Sequence, residues 1–221
     1  QTNVAVAVAG QIIDYLTTGT ILNAVNAPSV TGDLLEKLGP FLSVGEQLGS
    51  LQAQLTDGPL KEVSIEYAGD FHGLDMSPVT TAVLKGLLTP VVKDAVNFVN
   101  AHVYAKDRGI KVTETTSKDS DAFVNLVTVC VDSTRSANTV SGTLFGKREP
   151  RIVRINNFHL EMIPHGHLAL IYNMDKPGAI GSIGVTLGKH HINIDQMQVG
   201  QEENGKMNVI FLKTSTPIPV H

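Results

Sequence analysis

An α+β fold is predicted, because strand-type and helix-type segments follow one another irregularly and no parallel βα unit repeats. The segment His167–Gln198, HLALIYNMDKPGAIGSIGVTLGKHHINIDQMQ, adds a second observation: a buried-type strand, a polar turn, a glycine-opened helix and a further strand. The third is composition. Of 221 residues, 42% are hydrophobic and 17% charged, ordinary for a globular chain that builds its own core.

Asn3–Thr18 is apolar with many small residues and closes on Gly19, so it reads as a helix whose Ala/Val-rich face needs a partner surface. Asn26-Ala27-Pro28-Ser29 is a linker-like stop. Leu34–Leu55 reads as an amphipathic helix with Leu34, Leu38, Phe41, Leu48, Leu51 and Leu55 inward, and Pro40 is expected to break or kink it. Asp57-Gly58-Pro59 is a turn, and Lys61–Tyr67 alternates as a half-exposed strand does. Pro78–Val92 and His102–Gly109 read as helices, with a short extended piece at Asn97–Val99 between them. Residues 113–121, TETTSKDSD, read as an exposed polar loop, and Ala122–Asp132 and Thr139–Phe145 as strands. Gly142 and Gly146 suit a hinge or ordinary turns equally well. Arg151–Ile155 and Phe158–Met162 pair around Asn156-Asn157 as a hairpin, and the second unit is expected to start there.

In the most informative stretch, the apolar run Leu168–Tyr172 stops at Asn173-Met174-Asp175-Lys176. Pro177-Gly178 then opens a helix with apolar positions Ile180, Ile183, Val185 and Leu187. The free N–H groups of its first turn and the positive end of its dipole suit a carboxylate or phosphate. A strand Ile192–Gln198 follows with Asn193 at its start, and Lys206–Thr214 supplies another.

Several function classes are disfavoured. A net charge of -4 gives no chain-wide basic field for nucleic acid. No apolar run is long enough to span a bilayer. The single Cys130, inside VNLVTVCVD, reads as a buried thiol and fits a reducing cytoplasm. The chain starts at Gln1 without a signal-peptide pattern and is expected to be an excised fragment. No G-x-G-x-x-G follows a strand, since Gly178, Gly181 and Gly184 fall within the helix. His165, His167, His190 and His191 lack further ligands in register, so they read as surface histidines and no metal is expected.

The DKPGAIGSIG turn, with HINI after the helix, resembles the ACT domain, a ligand-binding module of amino-acid metabolism. Asn3–Val30 resembles the last helix and exit segment of the catalytic part of the D-3-phosphoglycerate dehydrogenase family, and Lys61–Gly146 its long-form intervening domain. Essentially the whole chain is covered. The resemblance implies residues 1–30 from the catalytic part, a mixed α/β intervening domain at 31–150, and a ferredoxin-like βαββαβ ACT domain at 151–221. That ACT domain is expected to be truncated after its third strand, with Pro217-Ile218-Pro219 leading toward the missing helix.

By the same resemblance the parent enzyme oxidises 3-phospho-D-glycerate to 3-phosphohydroxypyruvate with NAD, in serine biosynthesis. Its catalytic His, Glu and Arg lie upstream of Gln1, so this chain alone should be inactive and hold no cofactor. The implied effector is L-serine or another amino acid, bound by Asn173, Asp175, Pro177, Gly178, Ala179 and Asn193. The position matching Asn193 lies across a subunit interface in the family, which implies a homo-oligomer formed by ACT pairing, tetrameric in the parent. Family members often carry His or Tyr where Asn173 stands, so effector identity is open. The residues alone also allow Asp175 merely to cap the helix.

Lys147, Arg148, Arg151 and Arg154 form a candidate anion site at the domain boundary, although Ile163 stands where some relatives have another basic residue. The resemblance places the protein in a bacterial cytoplasm or a plastid, with no nucleic-acid or membrane partner. Two alternatives are a purely structural oligomerisation module and the regulatory part of an iron–sulfur L-serine dehydratase. The single cysteine argues against the second.

Overall fold

The computed structural model describes residues 2–18, 32–71, 73–92, 95–120, 122–146, 148–202 and 207–219. The linker expected at 26–29 and the side chain of Leu34 lie outside what is described. Helix α1 (Thr2–Thr18) carries exposed Val4, Val6, Ile12 and Ile13. Helix α2 (Gly32–Leu55) runs on through Pro40, contrary to the expected break. The residue before a proline is normally pushed out of the helical region by its Cβ, and here that residue is Gly39, which has none and stands in open space. Leu38 and Leu48 are fully buried, while Phe41, Leu51 and Leu55 pack partly buried against the same core.

Strand β1 (Leu60–Gly69) is followed by α3 (Ser77–Leu88), α4 (Ala101–Asp107) and β2 (Lys111–Ser117). The piece expected to be extended at Asn97–Val99 is instead a turn. Asn97 Oδ1 accepts the Val99 and Asn100 N–H groups, and Asn100 Oδ1 accepts that of Asn97. Strand β2 overturns the loop expected from residue 113 onward. Its threonines are β-branched, and as the sheet's outermost strand it can stay polar because much of it faces solvent. It pairs parallel to β1, so one βαβ crossover exists in an otherwise antiparallel sheet.

Strands β3 (Asn125–Ser133), β4 (Ala137–Phe145), β5 (Glu149–Ile155) and β6 (Phe158–Met162) complete the six-stranded order β2-β1-β3-β4-β5-β6. The hairpin strands β5 and β6 thus extend the first sheet, and an isolated antiparallel bridge links Phe158 to Glu202, just beyond β8. Gly142 sits inside β4, with Leu48 and Val44 of α2 packed where its side chain would be. Gly146 is a turn glycine with φ +60.

One face of this sheet, with Val63, Ile65, Val129, Val140 and Ile152, is covered by α2 and α3 in the main core. Gln52 of α2 is fully buried there, and its Nε2 donates to the Val129 carbonyl at 2.6 Å and that of Asn138 at 3.0 Å. The two helices meet backbone to backbone. A Cβ at Gly49 would stand 2.0 Å from the Val83 carbonyl oxygen, and one at Gly86 2.1 Å from that of Glu46. Lys85 and Glu46 close the crossing with an ion pair at 2.6 Å.

The second sheet has the order β7-β9-β8, all antiparallel neighbours, from β7 (His167–Met174), β8 (Ile194–Gln201) and β9 (Met207–Thr214). Helix α5 (Ala179–Lys189) covers one face, packing Leu187 and Ile183 on Ile210 and Leu212. It starts two residues later than expected, so Pro177 precedes the N-cap Gly178 and is not a first-turn residue. Residues 217–219 are not helical.

The central strand β9 is apolar on both sides, because its alternate residue Phe211 points into the main core. The two sheets also touch at an edge. Gly200 of β8 lies so close to β6 that a Cβ would be 2.7 Å from the His159 carbonyl oxygen. Glu161 N–H donates to Gln198 Oε1 at 2.9 Å.

Gly49→Ala should destabilise the chain by about 2–3 kcal/mol, the cost of overpacking a close-packed contact. Gly188→Ala, in a helix with open space at that position, should be neutral or stabilising by about 0.5–1 kcal/mol. Urea denaturation midpoints of the two variants check this. Similar shifts for both would show that the crossing is looser than its geometry states.

Candidate functional site

The turn after β7 brings three polar side chains to one end of the small sheet. Asn173 of β7 is the register partner of Asn208 of β9, and Gln201 of β8 lies opposite Asn208 on its other side. Residues directly opposite share a face. This amide row therefore continues the face that carries Ile210 and α5, at the end where α5 begins. Asn208 Nδ2 donates to Asp175 Oδ1 at 3.2 Å, and Asn173 Nδ2 donates to the Met174 carbonyl at 2.9 Å. The amide oxygens of both asparagines are buried without a partner among the described residues.

The helix opening is built by Gly178, whose φ of +91 is in the left-handed region that an L side chain resists. No side chain caps it. Asp175, which capping would engage, is held by Asn208 instead and stays exposed. The Ala179 N–H donates to the Lys176 carbonyl at 3.3 Å, and Ser182 N–H makes the first helical bond to Gly178 at 2.9 Å. The N–H groups of Ile180 and Gly181 precede that bond and so lack an intrahelical acceptor. The anion-facing donors therefore sit one to two residues later than Gly178 and Ala179.

Asn193 is not in this cluster. Ile194, beside it, is opposite Thr214, six residues along β9 from Asn208. At ~3.4 Å per residue that places Asn193 about 20 Å from Asn208, at the far end of the sheet. There its Nδ2 donates to Asp195 Oδ1 at 3.0 Å, and its carbonyl accepts the Ser215 N–H at 3.1 Å. One chain thus brings together Asn173, Asp175, Pro177, Gly178 and Ala179 but leaves Asn193 apart. Sequence reasoning missed Asn208. Its only signal was one amide in the apolar run MNVIFL, and the partner across the sheet cannot be seen before the register is known.

The basic cluster is differently placed. A bulge at Val153 lets Arg151 and Arg154 both lie opposite the polar Thr143 and Ser141 of β4. The Arg151 guanidinium is engaged by Glu149 at 2.8 Å and Glu161 at 3.4 Å, and it lies 5.3 Å over the Phe145 ring. Arg148 is exposed on the turn, and Lys147 lies outside the described residues. An anion arriving at Arg151 would meet two carboxylates. A separate cleft of about 420 Å³ lies between α2, the link 163–166 and β7, lined by Leu51, Leu55, Met162 and Leu168 with Gln47 and His165. Among the described residues no three His, Cys, Asp or Glu side chains are grouped to hold a metal. No described helix is long and apolar enough to cross a membrane.

The family model described as D-3-phosphoglycerate dehydrogenase intervening domain matches residues 37–156, and the ACT domain model matches 167–219. The chain is 37% identical over 212 residues to a D-3-phosphoglycerate dehydrogenase of Bacillus subtilis, covering 96% of the chain and 40% of that protein. It is 35% identical to one of Synechocystis, over 99% of the chain and 40% of the relative. A Methanocaldococcus jannaschii relative of the same name is 33% identical over 96% of the chain and 40% of its own length. The chain therefore spans about two fifths of the relatives it matches.

Replacing Glu149 and Glu161 together by Gln should raise the affinity of the 148–154 region for inorganic phosphate about fivefold, from the ~1 kcal/mol that partly exposed ion pairs supply. Amide chemical shifts during a phosphate titration report it. Equal affinities would show that the carboxylates do not compete for Arg151.

Proposed function

Because the chain belongs to the D-3-phosphoglycerate dehydrogenase family, with that family's intervening domain and an ACT domain, we propose that its ACT domain binds a free amino acid, L-serine foremost, as an allosteric effector. The oxidation of 3-phospho-D-glycerate with NAD is proposed for the longer parent protein, in a bacterial cytoplasm or plastid. Under this reading the first unit ends at Met162, the link is 163–166, and the ACT unit starts at His167.

The observation that supports the reading is the opening of α5. A carboxylate, Asp175, is held beside uncapped helical N–H groups instead of capping them. Acceptors and donors side by side suit a small zwitterion, whose ammonium faces Asp175 and whose carboxylate faces Ile180 and Gly181. Binding that differs between two arrangements of paired ACT domains would bias the parent's activity, typically by 1–3 kcal/mol of coupling. The family resemblance puts Asn193 in the site, and since it lies about 20 Å away along the sheet a second copy would have to supply it. A purely structural module is the competing reading, and the α5 opening favours the sensor over it, because Asp175 is held beside the first-turn N–H groups and does not cap them.

Isothermal titration of L-serine, with glycine and D-serine as controls, tests this. Stereospecific binding should be weakened at least about tenfold by Asp175→Ala, the loss expected for a charge-assisted hydrogen bond. Asn193→Ala should weaken it similarly. An equimolar mixture of the two variants, unfolded and refolded together, should recover part of the wild-type sites. Recovery is possible only if each site draws on two chains. Absence of binding in a folded, paired sample would favour the structural module.

A further inference from the structure

Beneath the opening of α5, one deeply buried polar side chain finds a partner for only one of its two polar atoms among the described residues. Asn208 is 4% exposed. Its Nδ2 donates to Asp175 Oδ1 at 3.2 Å, which fixes the amide: the nitrogen faces the carboxylate and the oxygen is the orphan. Asn173, directly opposite on β7, repeats the pattern, with its Nδ2 on the Met174 carbonyl and its Oδ1 unpartnered. A buried carbonyl oxygen without a donor costs stability, and native structures rarely leave two side by side. Among the described residues the shortage here is of donors.

A primary ammonium brings three N–H donors and a positive charge. We propose that Asn208 Oδ1, Asn173 Oδ1 and the Asp175 carboxylate form the ammonium subsite at the α5 opening, and that Asn208 is the residue which makes an amino group obligatory. The assignment rests on the amino-acid reading above, in which Asn208 only holds Asp175 in place and does not touch the ligand. Both amide oxygens are shielded as the side chains stand. An arriving ammonium that takes over the Asp175 carboxylate releases the Asn208 amide, whose broad χ2 torsion then lets its oxygen turn toward the ligand. The ligand carboxylate then lies toward the N–H groups of Ile180 and Gly181. A hydroxy acid of the same shape offers one neutral donor in place of three charged ones. A site built around hydrogen bonds rejects such an analogue strongly.

The test compares L-serine with L-glycerate on the whole chain by isothermal titration, with thermal melts alongside. Wild type should prefer serine by at least about a hundredfold, as expected where a site's polar groups would be left unpaired by the analogue. Asn208→Leu removes the orphan oxygen in a similar volume, so its melting point should be unchanged or higher while serine binding falls at least about tenfold. A merely structural asparagine would lose stability and binding together. Asn208→Asp retains an acceptor and should keep the preference for serine, which covers the case in which the leucine variant fails to fold.

Serine binding at the wild-type level in Asn208→Leu overturns the assignment, and so does loss of the preference in Asn208→Asp. Equal binding of serine and glycerate by wild type also overturns it, while leaving the amino-acid reading intact. Silence of folded, paired wild type toward every amino acid overturns that reading, and the assignment with it.

Discussion

Two helices crossing with their backbones in contact set the frame for everything else. Gly49 and Gly86 are reciprocal. Each lies where the other helix's main chain leaves no room for a Cβ, against Val83 and Glu46 respectively. At that separation α2 and α3 together cover one face of the six-stranded sheet. From the same line of α2, Val44 and Leu48 reach the floor at Gly142, while Gln52 satisfies carbonyls of β3 and β4. Dispersion contacts fall off within an ångström, so a wider crossing would loosen the fit along this whole line. The C-terminal half of α2 in turn forms one wall of the cleft that faces β7.

The small sheet inherits its position from this core. Strand β9 is the shared element. Phe211 enters the main core, Ile210 and Leu212 enter the core under α5, and Asn208 ends the same row beneath the helix opening. The site and the packing between the two sheets therefore lie on one strand within a few residues. A ligand that repositions Asn208 acts on a strand gripped from both sides. Such gripped elements change between discrete packings and do not deform smoothly. This gives the regulatory reading a physical path from the α5 opening to the first domain, through the Phe211 contact and the β6–β8 edge.

Most elements were legible because they follow simple periodicities. The alternation in Lys61–Tyr67 and the glycine-opened segment after Asp175 located β1 and α5 to within about two residues at their ends. Strand β2 was not legible, because an outer strand exposed on much of its surface carries the polar composition of a loop. Pro40 is expected to break or kink α2; no break occurs, and Gly39 before it lacks the Cβ that would clash with the proline ring. The hairpin Arg151–Met162 was recognised, but which sheet it joins is decided by pairing with β4, a non-local contact no local pattern encodes. The site divided in the same way. Asn173 and Asp175 stand in a recognisable motif, whereas Asn208 becomes meaningful only through its register with Asn173.

A crystal structure of the chain grown with L-serine is the most direct test of the central claim. The account predicts serine at the start of α5 in each copy. Its ammonium should lie within hydrogen-bond distance of Asp175 and Asn208, and Asn193 of the second copy should close the site. Serine bound elsewhere, in the cleft between α2 and β7 for example, would contradict it. So would ordered copies paired through another face with the α5 opening empty at saturating serine.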